Sequence, residues 1–158
     1  MKKCVFAGTF DPPTLGHKSV IDSCLAVFDE VVVAFLKNPE KTPLFSRKER
    51  EEMFRLMYPE TDRLKFVSFS GTAAELMKKE NADVYVRGIR GGQDAEYENY
   101  NFYASRKLDQ TLNVFYIPCP QELLHVSSTT VRTLLKFSKP LDGYVSEEVK
   151  AYISDILS

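Results

Sequence analysis

Apolar and polar positions fall into blocks along this chain, and the blocks are of two kinds. Cys4-Val5-Phe6-Ala7-Gly8 and Val31-Val32-Val33-Ala34-Phe35-Leu36 are apolar nearly throughout, as strands covered on both faces must be. Lys65-Phe66-Val67-Ser68-Phe69, Val84-Tyr85-Val86 and Val114-Phe115-Tyr116-Ile117 predict three further strands. Between these runs the apolar residues recur at helical spacing. Val20, Ile21, Cys24, Leu25 and Phe28 predict a helix whose first turn holds His17. Ser46 with Glu49 predicts a capping box that opens a helix through Met57, and Thr72 with Glu75 predicts a second, with Ala73, Leu76 and Met77 on its buried face. Helices are also expected from Asp94 to Leu108, from the Ser127-Ser128-Thr129-Thr130 cluster through Phe137, and from Ser146 to Leu157.

Strands and helices that alternate with short connections imply a parallel sheet with right-handed crossovers. The expected fold is a single α/β domain over residues 1–158: a Rossmann-like, doubly wound, five-stranded parallel sheet with helices on both faces. Ligands of such sheets bind beyond the carboxyl ends of the strands. That rule selects Gly8-Thr9-Phe10, Lys37 to Lys41, Phe69 to Ala73, Arg87 to Arg90 and Pro118 to Thr129, and predicts that they meet in one cleft.

Composition narrows the partners. With 158 residues, 44% of them hydrophobic and 27% charged, the chain has the makeup of one soluble domain. A net charge of −1 lacks the basic excess of a nucleic-acid binder, so no nucleic-acid partner is expected. No apolar run reaches the roughly 18 residues of a membrane span, and the N-terminus does not read as a signal peptide. The cytoplasm is the expected location, with no membrane partner. Three cysteines and two histidines offer no regular metal-ligand spacing; Cys4 and Cys24 are expected in the core, and Cys119 with His125 is the one conceivable nucleophile pair.

The first strand ends at Gly8, the turn-formers Asp11, Pro12 and Pro13 follow, and a helix then begins. This strand–loop–helix geometry brings backbone N–H groups and a positive helix end up to a phosphate. His17, Lys41, Arg87, Arg90 and a second helix start near Ser128 are expected at the same edge, where acidic groups are expected to be sparse. Paired carboxylates and a Ser–His–Asp set are both missing. A cationic pocket without a base suits polyphosphate binding, and transfer in which the attacking group is a phosphate already ionised at pH 7. Each residue also has a plainer role open to it: Lys41 as a solvated charge, Arg87 and Arg90 paired with Glu96 or Glu98, and the serine cluster as a helix cap.

Six segments sharpen the picture: G-T-F-D-P at 8–12, T-L-G-H at 14–17, N-P-E-K-T-P-L-F at 38–45, R-G-I-R at 87–90, D-A-E-Y-E at 94–98 and V-S-S-T at 126–129. In this order and spacing they resemble the bacterial phosphopantetheine adenylyltransferases, a branch of the HxGH nucleotidyltransferases, with Thr14 where the first His of that motif usually stands. The resemblance covers nearly the whole chain. It implies transfer of the adenylyl group of ATP to 4′-phosphopantetheine, giving dephospho-CoA and pyrophosphate in coenzyme A synthesis. It also implies direct in-line attack without a covalent intermediate, Mg²⁺ on the nucleotide, and assembly as a homohexamer.

Residue by residue, the resemblance places Thr9 on both substrates and Phe10 beside the nucleotide. His17 would stabilise the α-phosphate as a hydrogen-bond donor. Lys41, Arg87 and the backbone at Ala73 would serve the pantetheine substrate. Gly88, Ile89, Arg90 and Glu98 would line the ATP site, with Arg90 also counted among the catalytic groups. Leu123, Leu124, His125, Val126, Ser127, Ser128 and Thr129 would close over adenine and phosphates. The chain departs from the family at Gly91-Gly92-Gln93, which predicts a more mobile loop, at Leu123-Leu124-His125, where His125 either meets the nucleotide or is exposed, and at Ser105, where Asn is common. Sister cytidylyltransferases would carry R-T-x-G-I-S-T-T, which is absent, and nicotinamide mononucleotide adenylyltransferases are another branch. A nucleotide sensor without turnover is the alternative from a different class.

Overall fold

A computed structural model describes residues 1–158 and places five strands in one parallel sheet. In chain order the elements are β1 (Lys3–Gly8), α1 (Leu15–Val27), β2 (Glu30–Leu36), α2 (Arg47–Met57), β3 (Leu64–Phe69), α3 (Ala73–Glu80), β4 (Val84–Ile89), α4 (Gly92–Leu108), β5 (Val114–Pro118), α5 (Ser128–Lys136) and α6 (Glu147–Leu157). One 3₁₀ turn, Gln121–Leu123, precedes α5. The strand order is β3-β2-β1-β4-β5, so the winding reverses between β1 and β4. A ligand crevice opens at such a reversal, here above Gly8 and Arg87.

Alternation along the central strands builds two cores at once. Cys4, Phe6, Val31, Val33 and Phe35 face Val20, Ile21 and Cys24 of α1 and Phe54 of α2. Val5, Ala7, Val32 and Ala34 point the other way, onto Leu76 and Met77 of α3. A third apolar cluster joins Met53 of α2 to Val131 of α5 and to Val149 and Ile153 of α6. Thr14, Ser46 and Thr72 each accept the N3 amide of their helix and complete a capping box, so α1, α2 and α3 start where those residues stand. No helix is long and apolar enough to cross a membrane.

Two boundaries differ from expectation. The apolar run stops at Val86, yet β4 continues to Ile89 because Arg87, Gly88 and Ile89 pair with Tyr116, Ile117 and Pro118 of β5. R-G-I is therefore strand, with only Arg90 beyond it. Gly92 and Gln93, expected in a mobile loop, open α4 instead. That helix has no side-chain cap and buries none of its 17 residues.

Candidate active site

Two cavities lie beyond the carboxyl ends of the strands where one cleft was expected. The first, about 530 Å³, is lined by Thr9, His17, Arg87, Arg90, Glu98 and the start of α5, among others. The second, about 1000 Å³, is lined by Lys37, Lys41, Arg47, Ser68 and Ser70 with the 38–44 loop. Lys41 lines the second, His17 and Arg87 the first. Thr9, Asp11 and Arg132 are the three residues that line both.

The loop after β1 forms the wall between them, and three segments fasten it. The buried Asp11 carboxylate accepts the backbone amides of Leu44 at 2.8 Å and Phe45 at 2.9 Å. Arg50 donates to the carbonyl of Thr9 at 2.5 Å and to that of Phe45 at 3.1 Å. The Ser128 hydroxyl donates to Pro12 O at 2.7 Å, and Arg132 to Asp11 O at 2.7 Å. Phe10 adopts a left-handed φ of 54°, and its ring packs edge-on against His17, Phe35 and Phe54. Burying that ring offsets the backbone strain. Gly8 makes the room: a Cβ there would lie 2.9 Å from the Phe10 ring. Phe10 is only 3% exposed. It thus shapes the loop from the core and also lines the first cavity.

His17 occupies position N3 of α1, and its Nδ1 accepts the backbone amide of Thr14 at 3.0 Å. A neutral imidazole that accepts at Nδ1 carries its proton on Nε2. Burial, and then the charges of Arg87 and Arg90, push this imidazole down to about 4. At pH 7 it is neutral and a single-proton donor, which suits it to meet an anionic oxygen and leaves it unable to act as a base through Nδ1.

Acidic groups are not sparse here: Asp11, Asp94 and Glu98 all line the first cavity, each already engaged. Glu98 Oε1 accepts both Nε and Nη2 of Arg87, at 3.1 and 2.8 Å, while Arg87 Nη1 donates to Ala7 O at 3.2 Å. Burial works against the Arg87 charge, but Glu98 and Tyr85 together hold its pKa above the ordinary value. Arg90 is half exposed and pairs at 3.2 Å with Asp94, which is neither of the two acids, Glu96 and Glu98, offered by the sequence.

At the start of α5 the Ser127 hydroxyl accepts the Thr130 amide at 3.1 Å, leaving the amides of Ser128 and Thr129 as open donors at the helix end. Val126 lines the cavity with them; Leu123, Leu124, His125 and Ala73 line neither cavity. His125 is exposed and packs against Tyr144. Cys119 lines the first cavity as a free thiol that burial pushes above its ordinary pKa, so no Cys–His nucleophile forms. Sequence reasoning missed Arg132. It follows Ser128 by four positions, hence on the same helix face as the predicted phosphate-binding start, and that step identifies it.

A neutral imidazole donor, two arginines and an open helix end, with every carboxylate occupied, form a surface that holds phosphate oxygens and supplies no base. Comparison with known proteins agrees with that chemistry. The family described as cytidylyltransferase-like matches residues 5–134. The chain is 39% identical over 149 residues to the phosphopantetheine adenylyltransferase of Aquifex aeolicus, covering 94% of this chain and 92% of that one. It is 35% identical over 149 residues to that of Clostridium kluyveri, covering 94% and 91%. Among solved structures, the nicotinic acid mononucleotide adenylyltransferase of Plasmodium falciparum, complexed with NaAD, shares the fold with a TM-score of 0.71 at 16% identity, over 99% of this chain and 96% of that one.

Proposed function

Because this chain belongs to the phosphopantetheine adenylyltransferases within the cytidylyltransferase-like family, we propose that it transfers the adenylyl group of ATP to 4′-phosphopantetheine, releasing pyrophosphate and forming dephospho-CoA. The observation that carries this reading is the fixed Nε2–H of His17 in a cavity that also holds Arg90 and the open α5 amides, next to a second cavity that holds Lys41.

The triphosphate lies in the first cavity, with its β- and γ-phosphates toward the α5 amides, Arg90 and Arg132. Lys41 holds the phosphate of the acceptor from the second, and Arg87, in the first, binds the same substrate. Thr9, on the wall between them, meets both substrates. An acceptor phosphate oxygen, anionic at pH 7, attacks the α-phosphorus directly and in line. The bond to pyrophosphate breaks as the new bond forms, and no enzyme nucleophile intervenes. Alignment supplies much of the rate. His17 Nε2–H donates to the α-phosphate oxygen that gains charge in the transition state.

Mg²⁺ enters on the triphosphate as part of the substrate, as the family resemblance implies. The free thiols Cys4, Cys24 and Cys119 support a reducing, cytoplasmic setting. The exposed Tyr97, Tyr100 and Tyr103 on α4 support self-association, proposed as a homohexamer on family resemblance, which sedimentation velocity tests.

Pyrophosphate release is the decisive experiment, with ATP or CTP against 4′-phosphopantetheine, glycerol 3-phosphate or nicotinamide mononucleotide. Release with ATP and 4′-phosphopantetheine alone is expected. Release with another pair moves the protein to a sister activity, and ATP binding without release under any pair overturns the enzymatic reading.

A further inference from the structure

One polar cluster beside the first cavity remains without a role. Tyr116 of β5 pairs in register with Arg87 of β4, so the two side chains stand side by side on one face of the sheet. The Tyr116 hydroxyl is buried and makes no hydrogen bond, the only side-chain nitrogen or oxygen in the protein in that state. Folded chains retain few such groups, because an unpaired buried hydroxyl is destabilising. Its neighbour Glu98 is equally one-sided. Both contacts from Arg87 fall on Oε1, and Oε2 accepts nothing. Burial and then the Glu98 charge raise the Tyr116 phenol above its ordinary range, which keeps it a donor.

Arg87 is thus committed to Glu98 in a cavity where, on the function proposed above, it serves the phosphorylated acceptor. A substrate anion that takes the guanidinium competes with a carboxylate only 13% exposed. Releasing that carboxylate with no new partner would strand a buried charge. We propose that Glu98 and Tyr116 are positioning residues for Arg87: as the acceptor's anionic group engages the guanidinium, Glu98 shifts its hydrogen bonding to the Tyr116 hydroxyl. The exchange satisfies the orphan hydroxyl and frees Arg87 in one movement, with no net loss of hydrogen bonds. It rests on the reading of Arg87 as an acceptor-binding group.

Tyr116→Phe separates this from packing alone. Removing an unpartnered hydroxyl leaves the unliganded protein's melting temperature unchanged or raised. The acceptor's KM is expected to rise about tenfold, the worth of one charge-assisted hydrogen bond, while the ATP dissociation constant from calorimetry stays within about twofold. In a Glu98→Gln background, whose neutral amide needs no phenol donor, the same change is expected to alter the acceptor KM by less than about twofold. An unchanged acceptor KM overturns the proposal, as do a penalty that persists in the Glu98→Gln background and an ATP affinity that falls by the same factor. Should the wild type use a different phosphorylated acceptor, the substrate reading fails while the same ratios on that acceptor still judge this one. Should it turn nothing over, calorimetric acceptor binding supplies them.

Discussion

Helix α1 and helix α4 both border the first cavity, and they are built in opposite ways. α1 is capped by Thr14, buries Val20, Ile21 and Cys24, and holds His17 in one tautomer through its own capping box. α4 is longer by four residues, 17 against 13, yet has no side-chain cap, buries nothing and turns Tyr97, Tyr100 and Tyr103 to the outside. The groups near α1 face the cavity from a packed frame; Arg87 and Arg90 are tied to α4 by ion pairs that a ligand can displace. Transition-state stabilisation benefits from fixed donors, because donors that need not reorganise act at full strength as charge develops. Recognition of a flexible, charged substrate tolerates adjustable ones. The cavity thus joins a rigid chemical half to a yielding binding half.

The sharpest way to break this contrast is at His17. His17→Ala is expected to lower kcat about 10²–10³-fold while the ATP dissociation constant changes by less than about threefold, as for removal of one fixed donor to a developing oxyanion. Parallel losses in both would mean that His17 serves ground-state binding. The same residue predicts a pH signature. Its folded pKa of about 4 lies below the value of 6.5 expected in the unfolded chain. Its neutral form therefore contributes stability that is fully present above about pH 6.5 and is lost as the pH falls through about 4. Relative to His17→Gln, the wild type should become progressively less stable over that window. By NMR the His17 ring should not titrate between about pH 5 and 8.

Next in size is Asp11, whose two bonds to the Leu44 and Phe45 amides hold the Lys41 loop against the wall between the cavities. Asp11→Ala strands two amides, one of them buried, and should lower the unfolding free energy by about 2–4 kcal/mol. Because the Lys41 loop is released, the acceptor KM should rise more than that of ATP. Gly88→Ala comes third. A Cβ there would lie 2.9 Å from Val20 Cγ2, pressing β4 into α1, and overpacking of this kind costs about 1–3 kcal/mol, readable in a urea titration.

The rigid half was the more legible in the sequence. Ser46, Thr72 and Thr14 announce helix starts by local chemistry, and the unbroken apolar runs at Cys4–Ala7 and Val31–Phe35 belong only in a doubly covered sheet. The Arg87–Glu98 pair was among the plainer roles the sequence offered, but most partners remote in the chain are not: nothing near Asp11 says that its carboxylate is spent on residue 44. For that reason sequence patterns undercount the acids and merge two adjoining cavities into one cleft. Phe10 is not legible locally either: its left-handed backbone and buried ring build the loop from the core, while the residue still lines the first cavity.

The yielding half predicts small effects. Arg90 and Asp94 form an i,i+4 pair whose side chains are 52% and 37% exposed, and water screens most of its attraction. Asp94→Ala should therefore change the unfolding free energy by less than about 0.5 kcal/mol, although it removes the acceptor of the Arg90 amide as well. Any functional change should run toward tighter ATP binding, since the carboxylate competes with phosphate for the same guanidinium. Urea midpoints of Asp94→Ala and Asp11→Ala measured side by side put the contrast to the test. Two carboxylates of one cavity, one clamping a buried loop and one resting on an exposed helix, should differ by well over 1 kcal/mol; equal losses would mean that α4 is as firmly built into the fold as α1.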